Sequence, residues 1–299
     1  MFEIKVPATS ANLGCGFDTL GIAYEMYNSF TFTPASTFKV GEGFAGKYRG
    51  ENNLVMSSLK KTLKILKKTI PGVVIDTQSD IPVARGLGSS ATCIIAGVLA
   101  AYLLSDTELD MKRAFHICAD FEKHADNVSA ALFGGLTLSY KNHSGWQYLK
   151  YDIHPDFGFL VYVPDFRLST AKARGALPES LSYGACVNNI ARSALMLSAL
   201  TMPRADVLRD AVEDKLHQPY RIPLIKEYNR ISAYAYAQGA YAVCISGAGP
   251  SILTIVKKAD IPLKVNKFEE DRFKFRNEWR LYPLKVNEKG VKIIEGDPR

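Results

Sequence analysis

The stretch "IPVARGLGSSAT", residues 81 to 92, decides how this sequence is interpreted. The apolar run that continues from it, "ATCIIAGVLAAYLL", predicts a helix. Gly86 and Gly88 have no Cβ, so their backbone N–H groups can approach an anion closely. Ser89 and Ser90 fall at the helix start, where first-turn N–H groups are unpaired and the helix dipole favours negative charge. The stretch therefore predicts either a phosphate-binding loop or an ordinary turn with a serine N-cap.

Other phosphate-binding patterns fit the chain poorly. No lysine follows the final glycine of residues 81–92, so this stretch is not a Walker A loop. The H-R-D sequence of protein kinases is absent. The segment "GEGFAG", residues 41–46, matches G-x-G-x-x-G, but the "KYRGENN" that follows cannot open an amphipathic helix. We therefore expect residues 41–46 to form a turn between strands.

The composition is that of an ordinary globular protein. The 299 residues are 47% hydrophobic and 22% charged, and the length is comfortable for two domains. The opening "MFEIKVPATS" has no signal-peptide features, and the longest apolar run, residues 91–104, falls short of the roughly 20 residues that a membrane span needs. We therefore expect a cytoplasmic protein that does not act on membranes.

Cysteine and histidine indicate neither disulfides nor a zinc site. The five cysteines are scattered without a CxxC pair, which predicts free thiols in a reducing compartment. Cys93, Cys118 and Cys244 lie in apolar surroundings and are predicted to be small core residues. No histidine lies at metal-site spacing from a cysteine.

The formal net charge of +7 allows an anionic substrate or nucleic acid as a partner. The densest basic cluster is "SSLKKTLKILKKTIP", residues 57–71, in which leucines recur at helical spacing and lysines cover the other side. A membrane-surface or target-helix role for residues 60–68 is one interpretation, and a solvated outer face of a packed helix is the other. No zinc finger, aromatic RNA-binding stretch or basic tail supports nucleic acid.

The order of elements predicts two α+β domains, residues 1–155 and 156–299, that meet without a visibly flexible linker. The segment "AYAVCISGAGPSILTIVKK" predicts a strand, a tight glycine-rich turn and a second strand. The tail predicts a helix followed by a strand in "YPLKVNEKGVKII". Helices are predicted near 55–70, 90–104, 110–124, 182–200, 204–217 and 222–238.

Three glycine-containing segments together carry a family resemblance. "VPATSANLGCGFDTLGIA" (residues 6–23), the loop of residues 81–92 and "SGAGPS" (residues 246–251), in this order, resemble the GHMP superfamily of small-molecule kinases. Within it, "PATSANLGCGFD", "HADN" followed by "ALFGGLTLSY", "STAKARGALP" and "HQPYRIPLI" are similar to the homoserine kinase family.

The resemblance implies a two-domain GHMP kinase fold of class α+β. Its N-terminal domain would be like domain 2 of ribosomal protein S5, its C-terminal domain would be ferredoxin-like, and the site would lie between them. The implied reaction is ATP-dependent phosphorylation of the hydroxyl of L-homoserine to O-phospho-L-homoserine, a step in threonine biosynthesis. ATP and Mg²⁺ are the implied cofactors, and a homodimer is the implied assembly.

The resemblance also implies roles for individual residues. The substrate carboxylate would bind two planar guanidinium groups, its ammonium a carboxylate, and its hydroxyl a set of polar side chains. These would be Arg174 and Arg221 for the carboxylate, Asp18 for the ammonium, and Asn12, His124 and Asn127 for the hydroxyl end. The nucleotide would bind Pro82, Val83, Ala84, Arg85, Gly86, Leu87, Gly88, Ser89, Ser90, Ala91 and Thr92, with Asn53 at the adenine.

Mg²⁺ favours one or two protein oxygens, with waters and phosphates completing its octahedron. By resemblance those oxygens belong to Ser90 and Glu122. Some relatives have more residues between this glutamate and the histidine, whereas Glu122 lies only two residues before His124, so Asp120 is the alternative ligand. Cys15 and Gln218 also depart from the family pattern, which has proline and glutamate at these positions in many members.

The expected mechanism depends on an aspartate that some relatives have and that this chain lacks. Relatives like mevalonate kinase carry an aspartate as candidate base where this chain has Asn127, which cannot accept a proton at neutral pH. Because phosphoryl transfer depends mostly on positioning and charge neutralisation, we expect no dedicated base, with Ser90, Glu122 and Asn127 as the catalytic residues. Asp126 remains the rival base.

Two alternative functions stay open at this point. The chain could be another GHMP kinase, such as a mevalonate kinase, because mevalonate also carries a carboxylate. A function of another class would be nucleic-acid or membrane-surface binding through the lysines of residues 60–68.

Overall fold

The computed structural model describes residues 1–50 and 52–295 of the chain. The strands are β1 (Phe2–Asn12), β2 (Gly16–Pro34), β3 (Phe38–Val40), β4 (Val73–Ser79), β5 (Leu136–Asn142), β6 (Gly145–Tyr151), β7 (Phe157–Pro164), β8 (Ala242–Ile245), β9 (Ile252–Lys257), β10 (Trp279–Leu284) and β11 (Lys292–Glu295). The helices are α1 (Leu54–Leu66), α2 (Ser89–Leu104), α3 (Met111–Glu122), α4 (Asp126–Phe133), α5 (Thr170–Gly175), α6 (Tyr183–Thr201), α7 (Leu208–Ala211), α8 (Gln218–Arg221), α9 (Tyr228–Ala237) and α10 (Ile261–Asp271).

These strands form two sheets. The first has the order β11-β1-β2-β4-β3, with β5 also paired to β2 and β6 paired to β5. Its pairings are antiparallel except that of β3 with β4. The second sheet, β10-β7-β9-β8, is antiparallel throughout. The α+β class expected from the sequence is confirmed.

The first sheet packs against α1, α2, α3 and α4. Helix α2 is buried on almost all sides, which explains its nearly unbroken apolar sequence. Helix α1 is amphipathic, because Val55, Leu59 and Leu63 are buried while most of its lysines face solvent. Lys60 lies over the ring of Phe38, with its Nζ 4.7 Å from the centroid. The lysines thus form an outer face of a packed helix.

The two sheets share a buried apolar cluster. It joins Leu20 and Ile22 of the first sheet to Phe159 and Val161 of the second, and helix α6 adds Met196. A further cluster holds α9 and α10 on the second sheet. A continuous apolar core therefore joins the two halves, which agrees with the expectation of two domains that meet without a flexible linker.

The division of the chain is less simple than two consecutive blocks. The second sheet begins with β7 at Phe157, close to the expected boundary at 155/156, which stays a prediction. Strand β11, however, returns to the first sheet and pairs with β1. The tail "YPLKVNEKGVKII" is two strands in different sheets because Asn287 Oδ1 accepts from Gly290 N (2.7 Å) and turns the chain between them.

Two predicted helices differ from the observed ones. Residues 204–217 form only a short 3₁₀ turn and the four-residue α7, and α9 begins at Tyr228 rather than at 222. Asp214 Oδ2 accepts from the N–H groups of His217 and Gln218, at 2.7 and 2.5 Å, so a new short helix, α8, starts there and the predicted helix does not continue. Across residues 1–50 and 52–295, no helix combines the length and the apolar character that crossing a bilayer requires. The cytoplasmic location stays a prediction.

Candidate functional site

A cleft of about 590 Å³ lies between the two halves and collects residues from all three glycine-containing segments. Of the candidate site residues named from the sequence, those that line it are Asn12, Asp18, Asn53, Val83, Ala84, Arg85, Gly86, Gly88, Ser89, Ser90, Glu122, His124, Asp126, Asn127, Arg174 and Arg221. Residues that are far apart in sequence are thus brought to one cavity, as a binding site requires.

A few predicted residues do not line the cleft. Pro82, Leu87, Ala91 and Thr92 are absent from its walls. Leu87 is buried, and its carbonyl accepts from the N–H of Thr9 at 3.2 Å. Thr92 donates its hydroxyl to the carbonyl of Ser89 at 2.9 Å. These residues therefore stabilise the loop from the side that faces away from the cleft.

The loop before α2 leaves the helix N-terminus open. Gly88 is the N-cap residue with φ of +72°, and no side chain caps the first turn. Gly86 also has a positive φ of +74°. Because the serine N-cap interpretation requires a side-chain cap at this helix start, the structure excludes it. The first-turn N–H groups of Ser89 and Ser90 are therefore available to an anion.

The third glycine-containing segment holds this loop in place. The Ser246 hydroxyl donates to the carbonyl of Gly86 at 2.6 Å and lies 2.7 Å from the hydroxyl of Ser10. A Cβ on Gly86 would lie 2.2 Å from the Ser246 carbonyl oxygen, so only glycine fits. Asn12 Nδ2 donates to the carbonyl of Gly247 at 2.7 Å. Hydrogen bonds therefore join the three glycine-containing segments into one surface at the base of the cleft.

The first glycine-containing segment reaches the cleft at the point where the pairing of β1 with β2 becomes irregular. The β1–β2 register shifts between Ala11 and Asn12, and Asn12, Gly14 and Asp18 all have positive φ. The resulting loop is closed by the N–H of Asp18, which donates to Asn12 Oδ1 at 3.0 Å. Both side chains are thereby fixed toward the cleft rather than along the strand.

Two arginines reach the cleft from the second half of the chain. Arg174, on α5, forms a two-pronged ion pair with Asp18, with N–O distances of 3.0 and 2.8 Å. Arg221, on α8, is only 1% exposed and has no acidic partner within 4 Å among the described residues. Burial, and then the charge of Arg174, lower the pKa of Arg221 to about 10, so it remains charged at neutral pH. The ring of Phe17 lies near both guanidinium groups, 5.4 and 5.1 Å from their central carbons.

His217 contacts Arg221 from outside the cleft, although no role was predicted for it from the sequence. Its Nε2 lies 2.7 Å from the carbonyl oxygen of Gly14, and its Nδ1 lies 3.4 Å from Arg221 Nη1. Burial lowers the pKa of His217, so the neutral ring donates to Gly14 and accepts from Arg221. The guanidinium also donates to the carbonyls of Ala173 and Gly247, at 3.2 and 3.3 Å. The one signal for His217 in the sequence is that it lies four residues before Arg221, where it could position a buried arginine.

Ser90 and Glu122 lie together at the open end of α2. Burial raises the pKa of Glu122, whereas the charge of His124 and the hydroxyl of Ser90 lower it. A partly buried carboxylate beside a hydroxyl is an oxygen-only donor set, of the kind that Mg²⁺ prefers. Asp120, the alternative ligand, instead accepts from Trp146 Nε1 at 2.9 Å and does not line the cleft.

His124 and Asp126 form a pair beside Asn127. His124 Nδ1 lies 2.7 Å from Asp126 Oδ1. Burial lowers the pKa of His124, but the hydrogen bond and charge of Asp126, with the charges of Glu122 and Asp18, outweigh it and raise this pKa to about 9. His124 is therefore a cation at neutral pH.

Asn127 is held from two sides. Its Oδ1 accepts from the hydroxyl of Thr9 at 2.7 Å, and its backbone N–H donates to Asp126 Oδ1 at 2.8 Å. The sequence interpretation missed Thr9, which lies in the first glycine-containing segment without an evident partner in sequence. Because both its acceptor and its backbone are fixed, the Asn127 amide has one orientation in the cleft.

The other end of the cleft is apolar. Phe30, Phe44 and Tyr48 line it together with Asn53. Asn53 is the N-cap of α1: its Oδ1 accepts from Met56 N at 3.0 Å and its Nδ2 donates to the Tyr48 carbonyl at 2.8 Å. Residues 41–46 were expected to form a turn between strands, but they connect β3 to the 3₁₀ turn before α1, and they supply Phe44 to this wall. A flat aromatic ligand would find stacking surface here.

The chain is similar to known proteins in sequence and in fold. The chain matches the family "GHMP kinases N terminal domain" over residues 53–135 and "GHMP kinases C terminal" over residues 192–271. It is 38% identical over 295 residues to a homoserine kinase from Clostridium botulinum, covering 98% of each chain. The crystal structure of homoserine kinase from Cytophaga hutchinsonii aligns with a TM-score of 0.86 at 25% identity, over 98% of this chain and 97% of that one. A mevalonate kinase from L. major aligns with a TM-score of 0.72 at 14% identity over 96% of each chain, a likeness of fold alone.

Proposed function

The chain belongs to the GHMP kinase family, and from this premise we propose that it is an ATP-dependent homoserine kinase, active in the cytoplasm in a step toward threonine. The reaction transfers the γ-phosphoryl group of ATP to the hydroxyl of L-homoserine. A P–O bond forms to the hydroxyl oxygen, the bond between the γ-phosphorus and the β,γ-bridging oxygen breaks, and ADP, O-phospho-L-homoserine and a proton are released.

The observation that carries the choice of substrate is the group formed by Asp18, Arg174 and the unpaired Arg221. One carboxylate and two guanidinium groups complement the ammonium and carboxylate of an amino acid. The ion pair of Asp18 with Arg174 can exchange for two ion pairs with the substrate, so neither charge is left uncompensated on binding. Mevalonate has no ammonium, so it would leave Asp18 without a new partner.

The nucleotide is proposed to lie along the rest of the cleft. Its phosphates would bind the open N-terminus of α2, where Gly86 and Gly88 leave room for close approach. Its adenine would occupy the apolar end beside Phe44, Tyr48 and Asn53. Both polar groups of the Asn53 side chain already have one partner each. Its contribution is therefore to hold that wall in place and to offer its one remaining lone pair and amide hydrogen.

Ser90 and Glu122 are the residues that would hold Mg²⁺. The partly buried Glu122 carboxylate next to the Ser90 hydroxyl, at the N-terminus of the phosphate-binding helix, fits a hard divalent cation. When bound, the ion would supply charge neutralisation to the polyphosphate. The protein's own contribution there is a preformed oxygen pair in a partly dehydrated site.

The acceptor hydroxyl is proposed to be oriented by His124, Asn127 and Asn12. Asn127 has no proton-accepting function at neutral pH, so its contribution is alignment. Imidazolium His124 adds positive charge near the transferred group, the contribution that the lysine makes in a Walker A loop. Positioning and charge of this kind supply most of the catalysis in phosphoryl transfer.

The direct test is ADP release with Mg-ATP and a panel of homoserine, mevalonate, galactose and shikimate. We expect turnover with homoserine and with none of the other three acceptors. Turnover with mevalonate in its place would assign a different member of the family, and no turnover with any acceptor would contradict the proposal.

The substitution Asp18→Ala tests the ammonium contact. We expect the KM for homoserine to rise by about 10²-fold, because a charged hydrogen bond of roughly 3 kcal/mol is lost, while ATP affinity in calorimetry changes little. Glu25→Ala, which removes an exposed carboxylate paired with Lys285, is the matched control. An unchanged KM for homoserine would remove Asp18 from the substrate site.

A further inference from the structure

A second cavity, of about 250 Å³, lies outside the kinase cleft and has no part in the proposed reaction. We call it the α9 cavity, because Tyr228, Ser232 and Tyr236 of helix α9 form one of its walls. These three residues lie at intervals of four, which places them on one face of the helix. Among the described residues none lines both cavities, but Gln218 lines the α9 cavity while Arg221, on the same short helix α8, lines the cleft. The α9 cavity is therefore a separate space that adjoins the cleft through α8.

The guanidinium group of Arg209 lies at the α9 cavity without a counter-ion. Its central carbon is 4.4 Å from the centroid of the Tyr236 ring, so the side chain is held over an aromatic face. Within residues 1–50 and 52–295, no carboxylate oxygen lies within 4 Å of this guanidinium group. A guanidinium group that is positioned in this way and has no partner is suited to bind a carboxylate.

The acidic residues of the α9 cavity are already compensated by other groups. Glu213 pairs with Arg192 at 2.8 Å. Asp214 accepts from the side chain of Asn189 at 2.6 Å and from the backbone N–H groups of residues 216–218. In the described part of the chain, the one charge of the cavity wall that has no partner is therefore the positive charge of Arg209. A ligand with a single negative charge complements it.

The hydroxyl of Tyr228 adds a buried hydrogen-bond donor. Tyr228 is only 8% exposed, and burial raises the pKa of its hydroxyl, which therefore keeps its proton at neutral pH. This hydroxyl has no hydrogen-bond partner among the described residues, yet it is not one of the unpartnered atoms that are sealed from solvent, so it opens onto the cavity that Tyr228 lines. Ser232, one turn along α9, lines the same cavity, and its hydroxyl is also unpartnered within that part of the chain. Because buried polar groups nearly always have a partner, these donors indicate a ligand with acceptor oxygens.

The remaining walls of the α9 cavity are largely apolar. Val212, Pro219, Ile222 and Val243 form them. An inorganic anion would lose part of its hydration against these side chains without replacement, whereas an aliphatic group is stabilised by burial there. The walls therefore favour a ligand that has an apolar body behind its negative charge.

We propose that the α9 cavity binds a small aliphatic monocarboxylate. The carboxylate accepts hydrogen bonds from the Arg209 guanidinium group and from the hydroxyls of Tyr228 and Ser232. The aliphatic body packs against the apolar walls. Binding is reversible and involves no bond making, so it requires neither ATP nor the phosphoryl acceptor.

The test uses isovalerate, a branched aliphatic monocarboxylate, titrated against the full chain by saturation-transfer difference NMR. Isoamyl alcohol, which has the same aliphatic body and no charge, is the matched ligand control. We expect isovalerate to bind with a Kd of about 1 mM, because so small a ligand forms few contacts. The alcohol should bind at least about tenfold more weakly, since it forms no charged hydrogen bond with Arg209.

Substitutions in the α9 cavity assign the site. Arg209→Met should weaken isovalerate binding by about tenfold or more, and Tyr228→Phe, which removes only the hydroxyl, by about threefold to tenfold. Arg113→Met, at an exposed arginine of α3, is the matched control for the loss of one positive charge and should leave the Kd unchanged. Thermal unfolding of each variant checks that the protein remains folded.

Two further variants distinguish the α9 cavity from the kinase cleft, which also contains guanidinium groups. Arg174→Met and Arg221→Met each remove one of them and should leave isovalerate binding unchanged. The proposal would be overturned by a wild type that does not bind isovalerate saturably, by equal binding of the alcohol, or by a loss of binding in either cleft variant but not in Arg209→Met. Because binding is measured without ATP or turnover, a failure of the proposed kinase activity would leave this result unaffected.

Discussion

Arg221 retains a full positive charge where its side chain is almost entirely removed from water. Burying an unpaired cation costs several kcal/mol, which three backbone or ring acceptors offset only in part. A group of this kind in a cleft is more easily explained by an incoming anion than by stability of the empty protein. Sequence alone identified Arg221 through its family motif, but neither its burial nor its support by His217 could be read from residue types.

At the same scale, the identity of any base can be tested by two substitutions. Asp126 is 1% exposed, and its Oδ1 already accepts from His124 and from two donors of Asn127. Because the Asp126 carboxylate is occupied in this way, we expect Asp126→Asn to lower kcat by much less than 10²-fold, and Asn127→Ala to lower it more. Single-turnover kinetics on both variants provides the measurement. A loss of about 10²-fold or more from Asp126→Asn alone, which His124→Gln does not reproduce, would instead favour general-base catalysis by Asp126.

The pair of His124 with Asp126 also predicts how stability depends on pH. The pKa of His124 is raised from 6.5 to about 9 in the folded protein, so its contribution is fully present below pH 6.5 and is lost as pH rises through about 9. We expect the difference in unfolding free energy between the wild type and His124→Gln to decrease by about 2–3 kcal/mol from pH 6 to pH 10. Urea unfolding across this range measures it. His143→Gln, at an exposed histidine, is the control, and a difference constant with pH would contradict the assigned ion pair.

At the scale of elements, the start of α2 depends on glycine at two positions. Gly88 has φ of +72°, and a Cβ there would lie 2.0 Å from Thr9 Oγ1 and 3.2 Å from Asn127 Oδ1. The substitution therefore strains the backbone and displaces the hydrogen bond that orients Asn127. We expect Gly88→Ala to destabilise the protein by about 1–3 kcal/mol and to lower ATP affinity at least tenfold.

Thermal unfolding and calorimetric titration of ATP analogues measure both effects of Gly88→Ala. Gly46→Ala is the matched control, because a Cβ at Gly46 meets no atom within 4 Å and its φ is not in the left-handed region. Equal behaviour of the two variants would show that the loop tolerates a side chain, and the assignment of this loop to phosphate binding would then lose its steric basis.

The elements also show where sequence reasoning succeeds and fails. The long amphipathic or apolar helices α1, α2, α3 and α6 were predictable because many residues report the same periodicity. The prediction of one helix over residues 204–217 was wrong because tertiary contacts determine the short helices there. One such contact is made by Asp214, which accepts from the N–H groups of His217 and Gln218. The prediction for the tail was wrong because β11 pairs with β1, as in the pair Phe2 and Glu295, and local sequence patterns contain no information on pairing between residues so far apart in the chain.

At the scale of the whole molecule, the phosphate-binding loop is tied to the second half of the chain by Arg85. Its guanidinium donates to the carbonyls of Val83, Pro164 and Asp165. The Leu168 N–H, four residues after Pro164, donates back to the carbonyl of Ala84 at 3.4 Å. The segment that begins at Pro164 continues into α5, which carries Arg174. Nucleotide and homoserine would therefore bind to two ends of one connected structure.

This connection predicts that the two substrates bind cooperatively and that Arg85→Met reduces the cooperativity. The measurement is the Kd of a non-hydrolysable ATP analogue with and without saturating homoserine. In the wild type we expect homoserine to tighten the analogue by roughly 5- to 150-fold, the usual range for coupled sites, and in Arg85→Met we expect a ratio near one. If Arg85 acted only as a direct phosphate contact, the substitution would weaken the analogue equally in both titrations and leave the ratio unchanged. Arg167→Met, which removes an exposed arginine of the same cleft outside this set of hydrogen bonds, separates the loss of the connection from the loss of one positive charge.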